Sequence, residues 1–209
     1  CTVRENKLKY CLGDSMGKRT STKEHIMEAF LALLEDKNLM DISVSEISER
    51  AGVSKRTFYN HFVDKYDLMG FSYRELVELQ WYKDGKRCTL AEFFNRCWTF
   101  DGDEPMMERF KNTMSYIGQN DLRSEIENQG VKDLKRLLRW NGYTGPYDAD
   151  LDNILLFFMC GISRMAERHF GNSRDTPITW LSDYGAKCLP SEIAEYLLRD
   201  PNETDAIMN

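Results

Sequence analysis

The sequence is poor in several things, and each shortage excludes a class of chemistry. Its three histidines (His25, His61, His169) lie far apart, and no HExxH, GxSxG or GxxxxGKS/T pattern is present, so the common zinc-peptidase, serine-hydrolase and nucleotide-cradle reactions have no starting point. Six cysteines (Cys1, Cys11, Cys88, Cys97, Cys160, Cys188) form no CxxC pair and stand at no zinc spacing from a histidine, which fits reduced thiols rather than disulfides or a metal site. Cys160 and Cys188 are expected to fill core space. No enzyme activity, metal or cofactor is expected. The longest apolar run, Ile154 to Met159, stops at Cys160-Gly161, far short of a bilayer span, so no membrane partner is expected. Cys1 to Ser15 carries scattered charges and lacks the apolar stretch of a signal peptide, which makes the cytoplasm the expected compartment. With Met16-Gly-Lys-Arg-Thr resembling a natural start, residues 1–15 read as a leader, a cloning remnant or the product of a mis-set start codon. Net positive charge is missing too: 28 Lys and Arg face 34 Asp and Glu, for a net charge of -6. A polybasic nucleic-acid or membrane-surface binder is thereby excluded, and any DNA contact must be local.

What is present is enough apolar material, 42% of 209 residues, to bury a sizeable core. Strand-like alternation is scarce and helical spacing dominates, so an all-α fold is expected. Ser21-Thr-Lys-Glu24, Ser43-Val-Ser-Glu46 and Thr89-Leu-Ala-Glu92 each set a hydroxyl three residues before a carboxylate, the signature of a capping box at a helix entry. After the first box, Ile26, Phe30, Leu33 and Leu34 make one apolar face; after the second, Val44, Ile47 and Ala51 do. Gly52-Val53-Ser54 then supplies a turn, with Gly52 free to take positive φ and Ser54 able to cap the next helix. That helix is expected over Lys55 to Phe62. Phe58 and Phe62, four apart, face inward, while Arg56, Thr57 and Asn60 face out. Asp64 caps a longer helix running towards Trp81.

Two short helices joined by a glycine turn, the second with an apolar side and a polar side, have the plan of a helix-turn-helix whose second helix enters the major groove of double-stranded DNA. Lys55 and Arg56 can donate to guanine, Asn60 can pair with adenine, and Thr57 can reach a base edge or a thymine methyl. Ser43, Ser54, Tyr59, His61 and Lys65 suit phosphate oxygens, which hold the backbone without reading sequence. Helical hairpins of this kind also occur as plain structure, and a Lys-Arg pair is often a solvated face. Total charge does not decide, since residues 16–69 carry eight bases and nine acids. Placement favours DNA: Ser54 to Lys65 holds three bases and one acid, and Met16 to Lys23 adds three bases more.

Ile42-Ser-Val-Ser-Glu-Ile-Ser-Glu-Arg-Ala-Gly-Val-Ser-Lys-Arg-Thr-Phe-Tyr-Asn-His-Phe62, followed by Lys65 and Leu68, strongly resembles the N-terminal signature of the tetracycline-repressor (TetR/AcrR) family of transcription regulators. The match runs over about fifty residues, Ser21 to Gly70. His61-Phe-Val-Asp-Lys-Tyr-Asp-Leu68 looks most like the branch that includes regulators of dihydroxyacetone kinase genes. The resemblance puts Ser43, Tyr59, His61 and Lys65 at phosphate-contact positions, and Lys55, Arg56, Thr57 and Asn60 at positions facing bases. Many members carry Gly or Pro where Arg56 stands, a departure that bears on docking and sequence preference.

Residues 16–70 are therefore expected to form the DNA-binding domain, and 71–209 a larger helical domain for effector binding and dimerisation. Helices are expected near 64–82, 90–100, 105–118, 122–140, 149–170, 178–187 and 191–199. The resemblance implies a homodimer formed through the last long helices and a ligand cavity among the middle ones. Trp81, Phe93, Phe94, Trp98, Phe110, Met114 and Ile117 could line an apolar pocket for a small molecule, although such a stripe is also what plain core looks like. Leu155, Phe158, Ile162 and Met165, at spacings of three and four, are the expected dimer seam or core, with Ile193 and Leu197 as partners. The functional expectation is a repressor acting as a homodimer on a palindromic operator, modulated by a small molecule. The alternative is a regulator controlled by a protein partner.

Overall fold

A computed structural model of the protein describes residues 21–84, 88–98, 122–172 and 180–199, with side chains in all but 79–84, 95–98 and 169–172. The described residues are helical and contain no strand. The chain divides into two compact units, one through Lys83 and one from Asp84. The division falls near the end of a continuous helix, Lys65–Asp84, which runs unbroken across the expected boundary at 70.

In the first unit, α1 spans Thr22–Leu34, a single 3-10 turn spans Leu39–Asp41, α2 spans Val44–Arg50, α3 spans Lys55–Tyr59 and α4 begins at Lys65. Both expected capping boxes are made: Ser21 and Glu24 at α1, Ser43 and Glu46 at α2. Each satisfies free N–H groups that the first helical turn cannot pair internally. The apolar face of α1 is buried as its spacing requires, with Ile26, Met27 and Phe30 wholly inaccessible. Ile47 of α2, Phe58 of α3 and Leu68 and Met69 of α4 complete that core. The 3-10 turn, which the sequence reading did not foresee, buries Leu39, and Ile42 just after it is buried too.

In the second unit, α5 spans Leu90–Trp98, α6 Leu122–Trp140, α7 Ala149–Asn172, α8 Trp180–Cys188 and α9 Ser191–Leu198. Thr89 and Glu92 make the third capping box, at α5. The unit's two longest helices, α6 and α7, pack on each other most extensively, and α8 also packs on α7. Gly130 on α6 leaves room for the end of the Met159 side chain, which a Cβ there would push aside. An ion pair between Lys135 and Asp152 also joins the two helices.

Candidate nucleic-acid interface

The turn between α2 and α3 is built around Gly52, whose φ of 66° lies in the left-handed region that residues with a Cβ avoid. Gly52 N–H donates to the Glu49 carbonyl at 3.1 Å and Val53 N–H to the Ser48 carbonyl at 2.9 Å, the paired bonds that close a glycine-capped helix end. Ser54 opens α3 at once, its Oγ accepting from the Thr57 N–H at 3.0 Å. A sharp reversal with caps on both sides thus fixes how α3 leaves α2.

Below, α3 is anchored by two rings. Phe58 is fully buried and Phe62 is 3% exposed, their centroids 5.7 Å apart. The helix itself ends at Tyr59, shorter than the expected Lys55 to Phe62, with Asn60 as its C-cap. Phe62 is carried inward by the turn that follows. Lys55, Arg56, Tyr59 and Asn60 are exposed on the opposite side, a basic and amide surface on an apolar base. Thr57 is half-buried, and its hydroxyl is already engaged with Ser54 Oγ at 2.9 Å. Tyr59 keeps an edge-to-face contact with Phe58 at 5.4 Å while remaining 57% exposed, so its hydroxyl is presented on a rigid ring. His61 is half-buried beside Phe62. Lys23, in the first turn of α1, lies over the Phe62 and Phe71 rings at 5.4 and 4.9 Å.

Ser43 is exposed but serves as the α2 cap, with its Oγ donating to Glu46 Oε2 at 2.8 Å. Glu46 also takes the Lys37 ammonium at 2.6 Å. Hydrogen bonds from Lys37 and then Ser43 hold its carboxyl down to about 2.

Lys65 differs most from its expected role. It is half-buried, and its Nζ donates to the carbonyls of Leu39, Met40 and Ile42 at 2.7, 3.1 and 2.8 Å. All three ammonium protons are used inside the protein, leaving none for a phosphate. Burial lowers its pKa from the ordinary lysine value, opposed by the charges of Asp41 and Glu46.

In the second unit, of the two readings expected for Leu155, Phe158, Ile162 and Met165 with Ile193 and Leu197, seam or core, burial within one chain gives core for all but Met165. Leu155, Phe158 and Ile162 are 0%, 6% and 4% exposed within a single chain, and Ile193 and Leu197 are 2% and 0% exposed. These five are the unit's own core. Of the expected seam only Met165 is exposed, at 41%. The outward apolar stripe lies about a quarter-turn round the same helix: Ile154, Phe157 and Met165, with Phe157 at 85% exposure. With Tyr184, Cys188 and Pro190 it lines an open groove of about 520 Å³. The signal was the six-residue run Ile154 to Met159, because consecutive apolar residues cannot share one helix face and so demand two partners. Cys160 and Cys188, expected in the core, are both exposed, while Cys88 is buried. Cys160 stands one residue past the buried Met159, on the outward phase of α7. Partial desolvation, then the Glu127 carboxylate, pushes the Cys160 thiol up, which keeps it protonated.

Of the expected pocket residues, Phe93 and Phe94 are buried at 4% each, 5.4 Å apart, with Phe94 6.4 Å from Phe158. Phe110, Met114 and Ile117, and the side chains of Trp81 and Trp98, lie outside the described residues. A polar pair that sequence reading missed, Gln129 and Asp133, is buried on α6, with Gln129 Nε2 donating to Asp133 Oδ1 at 3.1 Å. No helix among the described residues is long and apolar enough to cross a membrane. Among those residues no His, Cys, Asp and Glu cluster is arranged to hold a metal.

Residues 26–70 match the family model described as bacterial regulatory proteins, tetR family. Two Bacillus subtilis (strain 168) proteins are similar over the same region. The HTH-type transcriptional regulator YwcC is 44% identical over 52 residues, 25% of this chain and 23% of YwcC. The HTH-type transcriptional regulator YxbF is 37% identical over 49 residues, 23% of this chain and 13% of YxbF. The likeness to these relatives thus spans less than a quarter of either. Two solved structures share the fold more widely, each at a TM-score of 0.52 and 17% identity. One is the dihydroxyacetone kinase operon activator DhaS, covering 82% of this chain and 96% of its own. The other is the TetR family repressor AlkX from Dietzia sp., covering 87% of this chain and 97% of its own.

Proposed function

We propose, from the match of residues 26–70 to the tetR family model, that the chain is a DNA-binding regulator of that family, acts in the cytoplasm as a homodimeric repressor on a palindromic operator and catalyses no reaction. The observation that carries the DNA reading is the two-sided α3: Phe58 buried beneath, with Lys55, Arg56, Tyr59 and Asn60 exposed above. Lys55, Arg56 and Asn60 read base edges, Thr57 contributes its methyl, and Ser43, Ser54, Tyr59 and His61 hold phosphates. Support for the homodimer comes from the apolar groove of α7 and α8. A phenylalanine 85% exposed on a 24-residue helix is costly in water, and an identical copy would cover it. Two α3 helices set one helical turn of DNA apart then read two half-sites.

The effector in this reading is a small apolar molecule held in the second unit, with Phe93 and Phe94 among the residues around it. Selection of bound fragments from a random DNA pool tests the core of the proposal. A two-fold symmetric motif, bound with an affinity that falls steeply with salt, is expected; asymmetric recovery and a flat salt response would refute it. Repression is tested by placing the recovered motif over a reporter promoter, where rising expression with the protein present would make it an activator. A metabolite panel read by thermal shift then tests the effector: stabilisation is expected from apolar molecules, and a uniformly flat panel points to control by a protein partner.

A further inference from the structure

Three features of the first unit meet at the start of α4. Asp64 Oδ1 accepts from the N–H groups of Tyr66 and Asp67, both at 2.8 Å, and so caps the helix. Asp67 Oδ2 accepts from the Val63 N–H at 3.0 Å, tying down the chain as it leaves α3. Lys65 reaches the other way and gathers the carbonyls of Leu39, Met40 and Ile42, the last residues before the Ser43 cap of α2. The neighbouring Tyr66 hydroxyl adds a contact to Met40 Sδ at 3.5 Å. One helix start therefore holds both the entry of α2 and the exit of α3.

We propose that Lys65 is a positioning residue for operator recognition: it clamps the entry of α2, and through it the seat of α3, and does not touch phosphate. The proposal rests on the DNA-binding reading above and redirects one residue of it. The chemistry requires lysine specifically. An ammonium carries three protons on a tetrahedral centre and can serve three converging carbonyls, whereas a guanidinium presents its donors in a plane. A phosphate contact would accept either cation.

The test compares the full-length protein with Lys65→Met and Lys65→Arg. Each is titrated with the duplex that the parent selects from a random pool, and with a scrambled duplex of equal length, over a range of salt. Amide hydrogen exchange is followed at residues 39–43 in the absence of DNA. For both variants we expect affinity for the selected duplex to fall roughly tenfold, scrambled binding to stay constant, the salt slope to remain that of the parent, and exchange at 39–43 to quicken. A slope reduced by about 0.9 together with rescue by Lys65→Arg would make Lys65 a phosphate contact and overturn the proposal. Equal loss on both duplexes, or unchanged exchange at 39–43, overturns it as well. Should Lys65→Met fail to fold, Lys65→Arg decides alone, since only a clamp loses function on keeping the charge. If the parent selects no duplex at all, the DNA-binding reading fails by itself, and the exchange comparison still reports on the clamp.

Discussion

The five-residue α3 and the 24-residue α7 solve the same packing problem and end with opposite surfaces. Both bury an apolar side: Phe58 on α3, and Leu155, Phe158 and Ile162 on α7. Outward, α3 offers cations and an amide, while α7 offers Ile154, Phe157 and Met165. Water tolerates the first surface and penalises the second, so burial alone explains α3 as a folded element but leaves α7 half explained. A polar outer face gains from a charged partner with directional groups. An apolar outer face gains only from another apolar face.

Removing the shared part of this contrast has the largest effect. Phe58→Ala is expected to cost about 3–5 kcal/mol, because the ring is fully buried against Phe62 and leaves a cavity. Denaturant unfolding should show the loss in the first unit, with DNA binding abolished and the helices of the second unit retained. On α7 the two faces separate cleanly. Leu155→Ala should lower the stability of the second unit by about 2–5 kcal/mol. Phe157→Glu should leave that fold intact and weaken self-association by about 2–4 kcal/mol. Sedimentation and urea melts distinguish the two, and a monomeric Leu155→Ala variant with a dimeric Phe157→Glu variant would reverse the assignment of faces.

On the outward side of α3, Asn60→Ala should relax preference at one base position by about 1–3 kcal/mol while binding to scrambled DNA stays level, as a competition titration would show. Ser48 probes the inward side of α2. Its hydroxyl is buried and has no hydrogen-bond partner among the described residues, so Ser48→Ala is expected to stabilise the first unit by about 1 kcal/mol in thermal melts. The smallest effect is pH-dependent. With the Glu46 carboxyl held near 2, below its ordinary 4.5, its contribution is complete above 4.5 and fades as pH falls toward 2. Glu46→Gln, which keeps the capping geometry without the charge, should flatten that acid limb in circular dichroism.

Much of this was legible from residues alone. The three hydroxyl-carboxylate boxes are local hydrogen-bonding units, and each stands where its spacing put it. Gly52 and the Phe58, Phe62 pair were readable for the same reason: a left-handed turn and an i, i+4 contact involve neighbours in the chain. The 3-10 turn at Leu39–Asp41 escaped because three residues are too few to show a periodic pattern.

Local order, then, belonged to the sequence: where helices begin, which side of α3 is greasy, and which side carries donors. Which face of α7 meets the chain's own core, and which lysine is spent inside the protein, were settled only in three dimensions. Residues 39 and 65 become neighbours through folding. A helix apolar on two sides carries no mark of which side its own chain will cover, because the hydrophobic effect has no direction until a partner surface is present.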